Sequence, residues 1–501
     1  MTQKPNVIFF FTDQQRYDTT GAAGNPCGLT PVFDSMASDG TYAQYAFSPQ
    51  PVCGPARAAL QTGKYATTTG NYKNAVVLPK EHRTMADYFN DAGYDTGYIG
   101  KWHLAEGRTA VPKEQRGGYQ WWLGANSLEH TSTAYDTTVY DNDNNPVKLP
   151  GYRVDALTDA AIRFIDNRQN SGKPFFLFLS FLEPHFQNCF DDFPAPDVYK
   201  NTPSAYMPPD LSALQGTAWQ HIGGYYGMVK RLDEALGRII DALKSLRMTE
   251  NTILVFTSDH GCHFKTRNAE YKRSCHESSI RIPLSFYGGP FTGGGKLREK
   301  VSLTDLAPTI LDACGLPVPE DMQGRSIMPY VRHEKKYSAG SRDIFIQISE
   351  SQVGRAIRTD RWKYSVEAPD KDPVKDSSSQ EYTETFLYDL EHDPYELHNL
   401  IHSAAHEKVC LTPVWTLPSE KQPPKRRFAS SLFGSYDEKI RQKYRREILI
   451  LARKKRRRLS AASSPRQLEE AVGLTDDPLH RLYEKARYGR EKCTRNDWDS
   501  L

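Results

Sequence analysis

Cys53 lies in PQPVCGPARAALQTG, residues 49 to 63, where a Pro/Gly-rich turn runs into a small-residue stretch with Arg57 four residues on. A helix that begins here places the thiol at its N-terminus, about one turn from a guanidinium, and both settings favour negative charge. A buried structural thiol needs neither. Other polar residues gather just past apolar runs: Asp13 and Gln14 after NVIFFFT, His185 in EPH after PFFLFLSFL, Asp259 and His260 after NTILVFTS. Carboxylate and amide oxygens with one imidazole can hold a divalent cation, and an oxygen-rich set suits calcium, magnesium or manganese better than zinc. Lys101 and His103 in GKWHLA, His185, and Lys272, Arg273 and His276 in AEYKRSCHESSIRIP join Arg57 as further charge and proton donors. Such groups suit a tetrahedral oxyanion and a leaving group that needs a proton. Taken singly, each has an ordinary structural reading: an Asp after a strand caps a helix, a lysine is solvated, a histidine satisfies a buried carbonyl. Only their combination points to one site.

Elements must bring these residues together. Residues 6–12, 174–182 and 251–258 are continuous apolar runs, as in strands buried on both faces of a parallel or mixed sheet. Between them, 153–169, 225–247 and 304–314 carry helical periodicity. The alternation predicts an α/β fold: a large mixed, mainly parallel sheet flanked by helices, with ligands at the carboxyl edge of the strands. After residue 340, DIFIQISE, GRAIRTDRWKYSV and TFLYDLEHD read as short antiparallel strands of a smaller C-terminal α+β domain. The expected division is therefore a catalytic α/β domain over 1–340, an antiparallel-sheet subdomain over 341–410 and a basic, partly helical extension over 411–501. Residues 436–458 and 477–490 are its expected helices.

Composition is that of an ordinary globular chain, with 38% hydrophobic and 25% charged residues among 501. No apolar run reaches the roughly 18 residues of a membrane span. The opening MTQKPNVIFFFTDQQR reads as a strand and not a secretory leader, so the expected location is cytoplasmic, or periplasmic or secreted if a leader has been removed. Eight scattered cysteines give neither a disulfide framework nor a zinc-type CxxC pair. The net charge of +3 hides an asymmetry, because residues 411–501 hold 22 Lys/Arg against 12 Asp/Glu and include RKKRRR at 453–458. That run is read as a solvated basic helix or tail, with no nucleic-acid partner expected.

Placed in order, NVIFFFTDQQRYD, CGPAR within PVCGPARAALQTGKY, GYIGKWHL, EPH, SDHG, YKRSCHESSIRIPL, GRAIRTDRWKY and LYDLEHDPYELHNL resemble the formylglycine-dependent sulfatases of the alkaline phosphatase superfamily. The resemblance covers roughly residues 5–400 and is nearest to bacterial carbohydrate sulfatases. It implies that a maturation enzyme oxidises Cys53 to formylglycine, whose hydrated aldehyde attacks a sulfate ester. It assigns the metal, calcium or alternatively magnesium or manganese, to Asp13, Gln14, residue 53, Asp259 and His260. Arg57 and Lys101 match the residues that hold the hydrated aldehyde and sulfate, and His185 and Lys272 those that serve the leaving alcohol. His103 matches the base that lets the second hydroxyl expel sulfate, while Lys101, His185, Lys272 and His276 are the expected substrate contacts.

The implied activity is desulfation of a sulfated poly- or oligosaccharide. Two departures matter. Many family members carry Asp at the position of Gln14 and Asn at that of His260. The Gln/His pair resembles phosphonate monoester and phosphodiester hydrolases that share the same nucleophile, which is the alternative activity. Aromatics at 119–122 (YQWW) could stack on a sugar or pack the interior. The tail beyond residue 411 matches nothing in the family.

Overall fold

Every residue of NVIFFFT is buried in the strand it forms, β1 (Asn6–Thr12). Side chains alternate across a strand, so Val7, Phe9 and Phe11 enter one apolar layer while Ile8 and Phe10 enter a second. A computed structural model describes residues 4–199, 206–293, 295–340 and 342–406, with Val409. The expected helices at 436–458 and 477–490, and RKKRRR between them, lie outside the described residues.

Ten further strands follow β1 in the same sheet: β2 (Thr41–Phe47), β3 (Asp95–Lys101), β4 (Trp121–Ala125), β5 (Thr137–Tyr140), β6 (Pro146–Leu149), β7 (Phe175–Ser180), β8 (Thr252–Ser258), β9 (Arg281–Ile282), β10 (Leu284–Tyr287) and β11 (Gly295–Ser302). Their order is β11-β2-β10-β8-β1-β7-β3-β4-β5-β6, with β9 also paired to β2. The centre, β8-β1-β7-β3-β4, is parallel throughout. Helices Arg153–Asp166 and Ala218–Ser245 cover the layer holding Ile8 and Phe10, through Leu157, Phe164, Leu232 and Ile239. Helices Cys53–Thr62 and Leu306–Ala313 cover the other, through Ala56, Leu60, Leu306 and Ile310. This is the mixed, mainly parallel sheet flanked by helices that the apolar runs predict.

The long helix begins at Ala218, seven residues before its expected start. Gly223 and Gly224 weaken the helical signal there. Packing keeps the turn helical, because at Gly224 a Cβ would collide with the Phe193 carbonyl. YQWW also resolves toward the interior. Tyr119 and Trp122 are buried, Trp122 stacks on Tyr98 at 4.9 Å between centroids, and Trp121 meets Phe164 edge-on at 5.1 Å. These rings fill the core, so the sugar-stacking alternative is set aside.

The last strands, β12 (Ile344–Ile348), β13 (Gly354–Arg358), β14 (Trp362–Glu367) and β15 (Thr383–Asp389), form a separate four-stranded antiparallel sheet. A buried cation ties it to the rest: Lys363 Nζ on β14 lies 2.7 Å from Glu277 Oε1 and 2.6 Å from Glu396 Oε1. Glu396 Oε2 in turn accepts the Glu277 backbone N–H at 2.6 Å. Removing the cation takes the ion pair from buried Glu396 and leaves Glu277 with only its longer contacts to Arg358 and Arg281 at 3.5 and 3.8 Å, and breaking a buried pair in this way typically costs about 3–5 kcal/mol. Lys363→Met is therefore expected to lower the unfolding free energy from urea titration by that amount, seen as a lower midpoint at unchanged slope, and an unchanged midpoint would show that the pair contributes nothing.

Candidate active site

Strand register builds the site. Thr12 pairs with Ser258 across β1 and β8, Phe11 with Ser180 across β1 and β7, and Gly100 with Ser180 across β3 and β7. The next residues, Asp13, Asp259 and Lys101, therefore emerge together at the carboxyl edge of the sheet. Gly100 has φ +103°, and a side chain there would collide with the Ser180 carbonyl, so only glycine allows this approach before Lys101. Two other residues of the site take the left-handed region without being glycine: Gln14 at φ +67° and His103 at φ +66°. Such residues cost about 1–3 kcal/mol each and persist where the surroundings over-determine them. At Gln14 the turn brings the backbone N–H to Asp259 Oδ1 at 3.0 Å.

Cys53 is the first residue of a fully buried ten-residue helix that ends at Gly63 in the left-handed conformation. Asn74 Oδ1 accepts the Gly54 N–H at 2.9 Å, securing the first turn. The Cys53 sulfur lies 2.8 Å from Lys272 Nζ, 3.4 Å from His260 Nε2 and 3.7 Å from Asp13 Oδ1. Burial pushes the thiol up, but Lys101, Lys272 and His260 outweigh it and hold the sulfur well below the usual thiol range. Anything carried at this position meets a field built for an anion.

Arg57 is wedged between carboxylates. It reaches Asp13 Oδ2 at 2.9 Å and Asp259 Oδ2 at 3.3 Å, and donates to the Lys101 carbonyl and Ser180 Oγ at 2.8 Å each. Lys101 Nζ also binds Asp13 Oδ2, at 2.7 Å. Burial and the Cys53 sulfur push Asp13 up, but Lys101 and Arg57 prevail and hold its carboxyl well below the usual range. Lys272 Nζ sits 3.0 Å from His185 Nε2. The other His185 nitrogen, Nδ1, faces the Phe186 carbonyl at 2.5 Å and must donate, so Nε2 offers a lone pair to the ammonium. Burial and Lys272 press His185 down to about 4, leaving it neutral near pH 7.

Glu129 belongs to this cluster and carried no signal in the sequence. From the short helix Leu128–Thr131 it places Oε1 3.0 Å from Lys101 Nζ and 3.5 Å from His103 Nδ1. Burial pushes its carboxyl up, but Lys101 and His103 more than offset this and hold it at about 2. A carboxyl depressed from its reference near 4.5 stabilises the fold above that reference, and the contribution fades as pH falls toward 2. Glu129→Gln is therefore expected to cost about 3 kcal/mol at pH 7, with the deficit shrinking below pH 4.5. Urea midpoints at pH 7 and pH 3 check this, and a deficit independent of pH would contradict it.

Ligand atoms of Asp13, Cys53, Asp259 and His260 lie within 4.8 Å of one another, all buried. Gln14 Oε1 has no hydrogen-bond partner, and Asp259 Oδ2 has only its ion pair with Arg57 at 3.3 Å. His260 Nδ1 faces the Gly261 carbonyl at 3.0 Å and must donate, so Nε2 is the ring nitrogen turned toward the cluster. Burial and the neighbouring Asp13 push the Asp259 carboxyl upward. Two carboxylates, an unpartnered amide oxygen and an imidazole nitrogen fit a hard divalent cation.

Of the residues expected here, Asp13, Cys53, Arg57, Lys101, His103, His185, Asp259, His260 and Lys272 join one contact network, and Gln14 is held to Asp259. His276 does not join it. Its Nε2 lies 3.1 Å from the Tyr388 hydroxyl and its ring packs on Phe386 and Tyr388 at 5.0 and 5.5 Å. Burial, with Arg267 and Lys363 nearby, drives its imidazole well below the usual range. A neutral histidine seated on the second sheet is a packing residue, which corrects its expected substrate contact.

The parallel-sheet core carries, at its carboxyl edge, a cysteine at a helix N-terminus beside buried carboxylates that can hold a cation. The chain matches the Sulfatase family over residues 5–316 and the C-terminal family of N-sulphoglucosamine sulphohydrolase over 269–416. It is 30% identical to an ulvan-active sulfatase of Formosa agariphila, over 79% of this chain and 77% of that protein. It is 26% identical to an N-acetylglucosamine-6-O-sulfatase of Bacteroides thetaiotaomicron, over 81% and 84%. Among solved structures, BT4656 in complex with its substrate D-glucosamine-2-N,6-O-disulfate superposes with TM-score 0.67 at 25% identity, covering 82% of this chain and 96% of that one. This chain belongs to the sulfatase family and is a sulfuric ester hydrolase of the alkaline phosphatase-like fold. Sulfatases of this family use a divalent metal and a formylglycine.

Proposed function

We propose that this protein removes sulfate from a sulfated saccharide, with residue 53, matured from Cys to formylglycine, at the point of attack. The observation that carries this reading is the convergence on Cys53 Sγ of Lys272, His260 and Asp13 within 3.7 Å at a buried helix N-terminus. The sulfur marks the position of the nucleophilic oxygen. A divalent cation, calcium by the preference of an oxygen-rich set, would be held by Asp13, Gln14, residue 53, Asp259 and His260, and when bound it polarises the sulfate and acidifies the attacking hydroxyl.

The protein's own residues do the rest. Arg57 and Lys101, locked on Asp13, hold the reacting groups in a fixed field. Lys272 and His185 form a proton-bearing pair 3.0 Å apart for the departing alcohol. His103, oriented by Glu129, takes the proton whose removal releases sulfate. The saccharide class is supported by relatives named for ulvan, for N-acetylglucosamine 6-O-sulfate and for a glucosamine disulfate. A formylglycine-generating enzyme is then a required partner.

Gln14 and His260 favour a second reading, hydrolysis of phosphonate monoesters or phosphodiesters, because each replaces a residue common in sulfatases. Rates on defined sulfated saccharides and an aryl sulfate, set beside an aryl phosphonate and an aryl phosphodiester, separate the two. Faster turnover of the sulfate esters is expected, and preference for the phosphorus substrates would overturn the first reading.

A further inference from the structure

Gln14 brings to the cation cluster a neutral amide, whose two ends are almost the same shape. One end offers a lone pair to a cation, while the other presents N–H groups that repel it. Its surroundings break the tie. Nε2 lies 3.3 Å from Cys262 Sγ, which can accept its N–H, and the fully buried Oε1 has no partner. The backbone of Gln14 is pinned on both sides: its N–H donates to Asp259 Oδ1 at 3.0 Å and its carbonyl accepts the Tyr225 hydroxyl at 2.8 Å. Cys262 is pinned as well. It is fully buried, and its carbonyl accepts from Arg16 Nη1 at 2.8 Å, while Arg16 is fixed by Asp18 at 2.6 Å and Asp210 at 2.9 Å.

From these contacts the geometry points to Cys262 as a positioning residue for the cation: its sulfur holds the Gln14 amide nitrogen and so fixes Oε1 as the end left free for the ion. The sulfur touches neither substrate nor ion. It acts through Gln14, as outer partners that orient metal ligands do, and losing such a partner typically weakens metal affinity about 10- to 100-fold.

The inference rests on the cation reading above, yet its test uses no substrate, so a failure to hydrolyse sulfate esters leaves it standing. Calcium affinity is measured by calorimetry on EDTA-stripped protein, with residue 53 in the same chemical form throughout. Cys262→Val is larger by about one methyl group and lacks an acceptor, and its Kd for calcium is expected to rise at least about tenfold; Cys262→Ala, which adds no bulk, serves the same purpose if the valine variant fails to fold. Cys262→Ser keeps an acceptor and should stay within about threefold of the parent. In a Gln14→Asp background both oxygens are alike, so Cys262→Val should change Kd by less than about threefold. An unchanged Kd in Cys262→Val, equal losses in the serine and valine variants, or the same loss in the Gln14→Asp background would each overturn the assignment.

Discussion

Replacing Cys53 by Ala is expected to lower sulfate release at saturating substrate by at least about 1,000-fold, the scale on which covalent catalysis is lost with its nucleophile. The fold should survive. Alanine suits the first turn of a helix, and Lys272, the sulfur's nearest cation, keeps His185 as a neighbour at 3.0 Å. Calcium binding should be weakened less than turnover, because Asp13, Gln14, Asp259 and His260 remain. Turnover within tenfold of the parent, at unchanged circular dichroism, would mean that residue 53 is not the point of attack.

Lys272→Ala should cost about 100- to 10,000-fold in kcat, the range for a positioned proton donor. Its ammonium lies 2.8 Å from the Cys53 sulfur and 3.0 Å from His185 Nε2, between the point of attack and the neutral imidazole. A saccharide alcohol is a poor leaving group and needs that proton, whereas a nitrophenolate does not. The loss should therefore be much larger on a sulfated saccharide than on nitrophenyl sulfate. Equal losses on the two substrates would assign Lys272 to holding the sulfate and remove it from leaving-group protonation.

The parts of this site that can be read in the sequence are those that a strand end or a helix start carries locally. β1, β7 and β8 announce themselves as apolar runs, and the polar residues just beyond them are forced to one edge once the strands are parallel. Cys53 and Arg57 share one helical turn, so their relation is visible as spacing. Glu129 was not visible, because its partners Lys101 and His103 are far away in the chain and SLEHTS has no pattern of its own. His276 misled for the opposite reason. It shares a short segment with Lys272, but the chain turns at Glu277–Ile280 and seats its ring on Tyr388. YQWW shows the same limit, since composition tells that aromatic rings pack but not against what. The tie through Lys363 joins residues from three separated segments and depends wholly on tertiary structure.

The most direct test is the mass of the peptide containing residue 53, isolated from protein produced together with a formylglycine-generating enzyme and active on a sulfate ester. The account predicts that the thiol has been replaced by an aldehyde in the active fraction, with activity scaling with the aldehyde content across preparations. A fully active preparation whose peptide carries only the unmodified Cys53 thiol would contradict it.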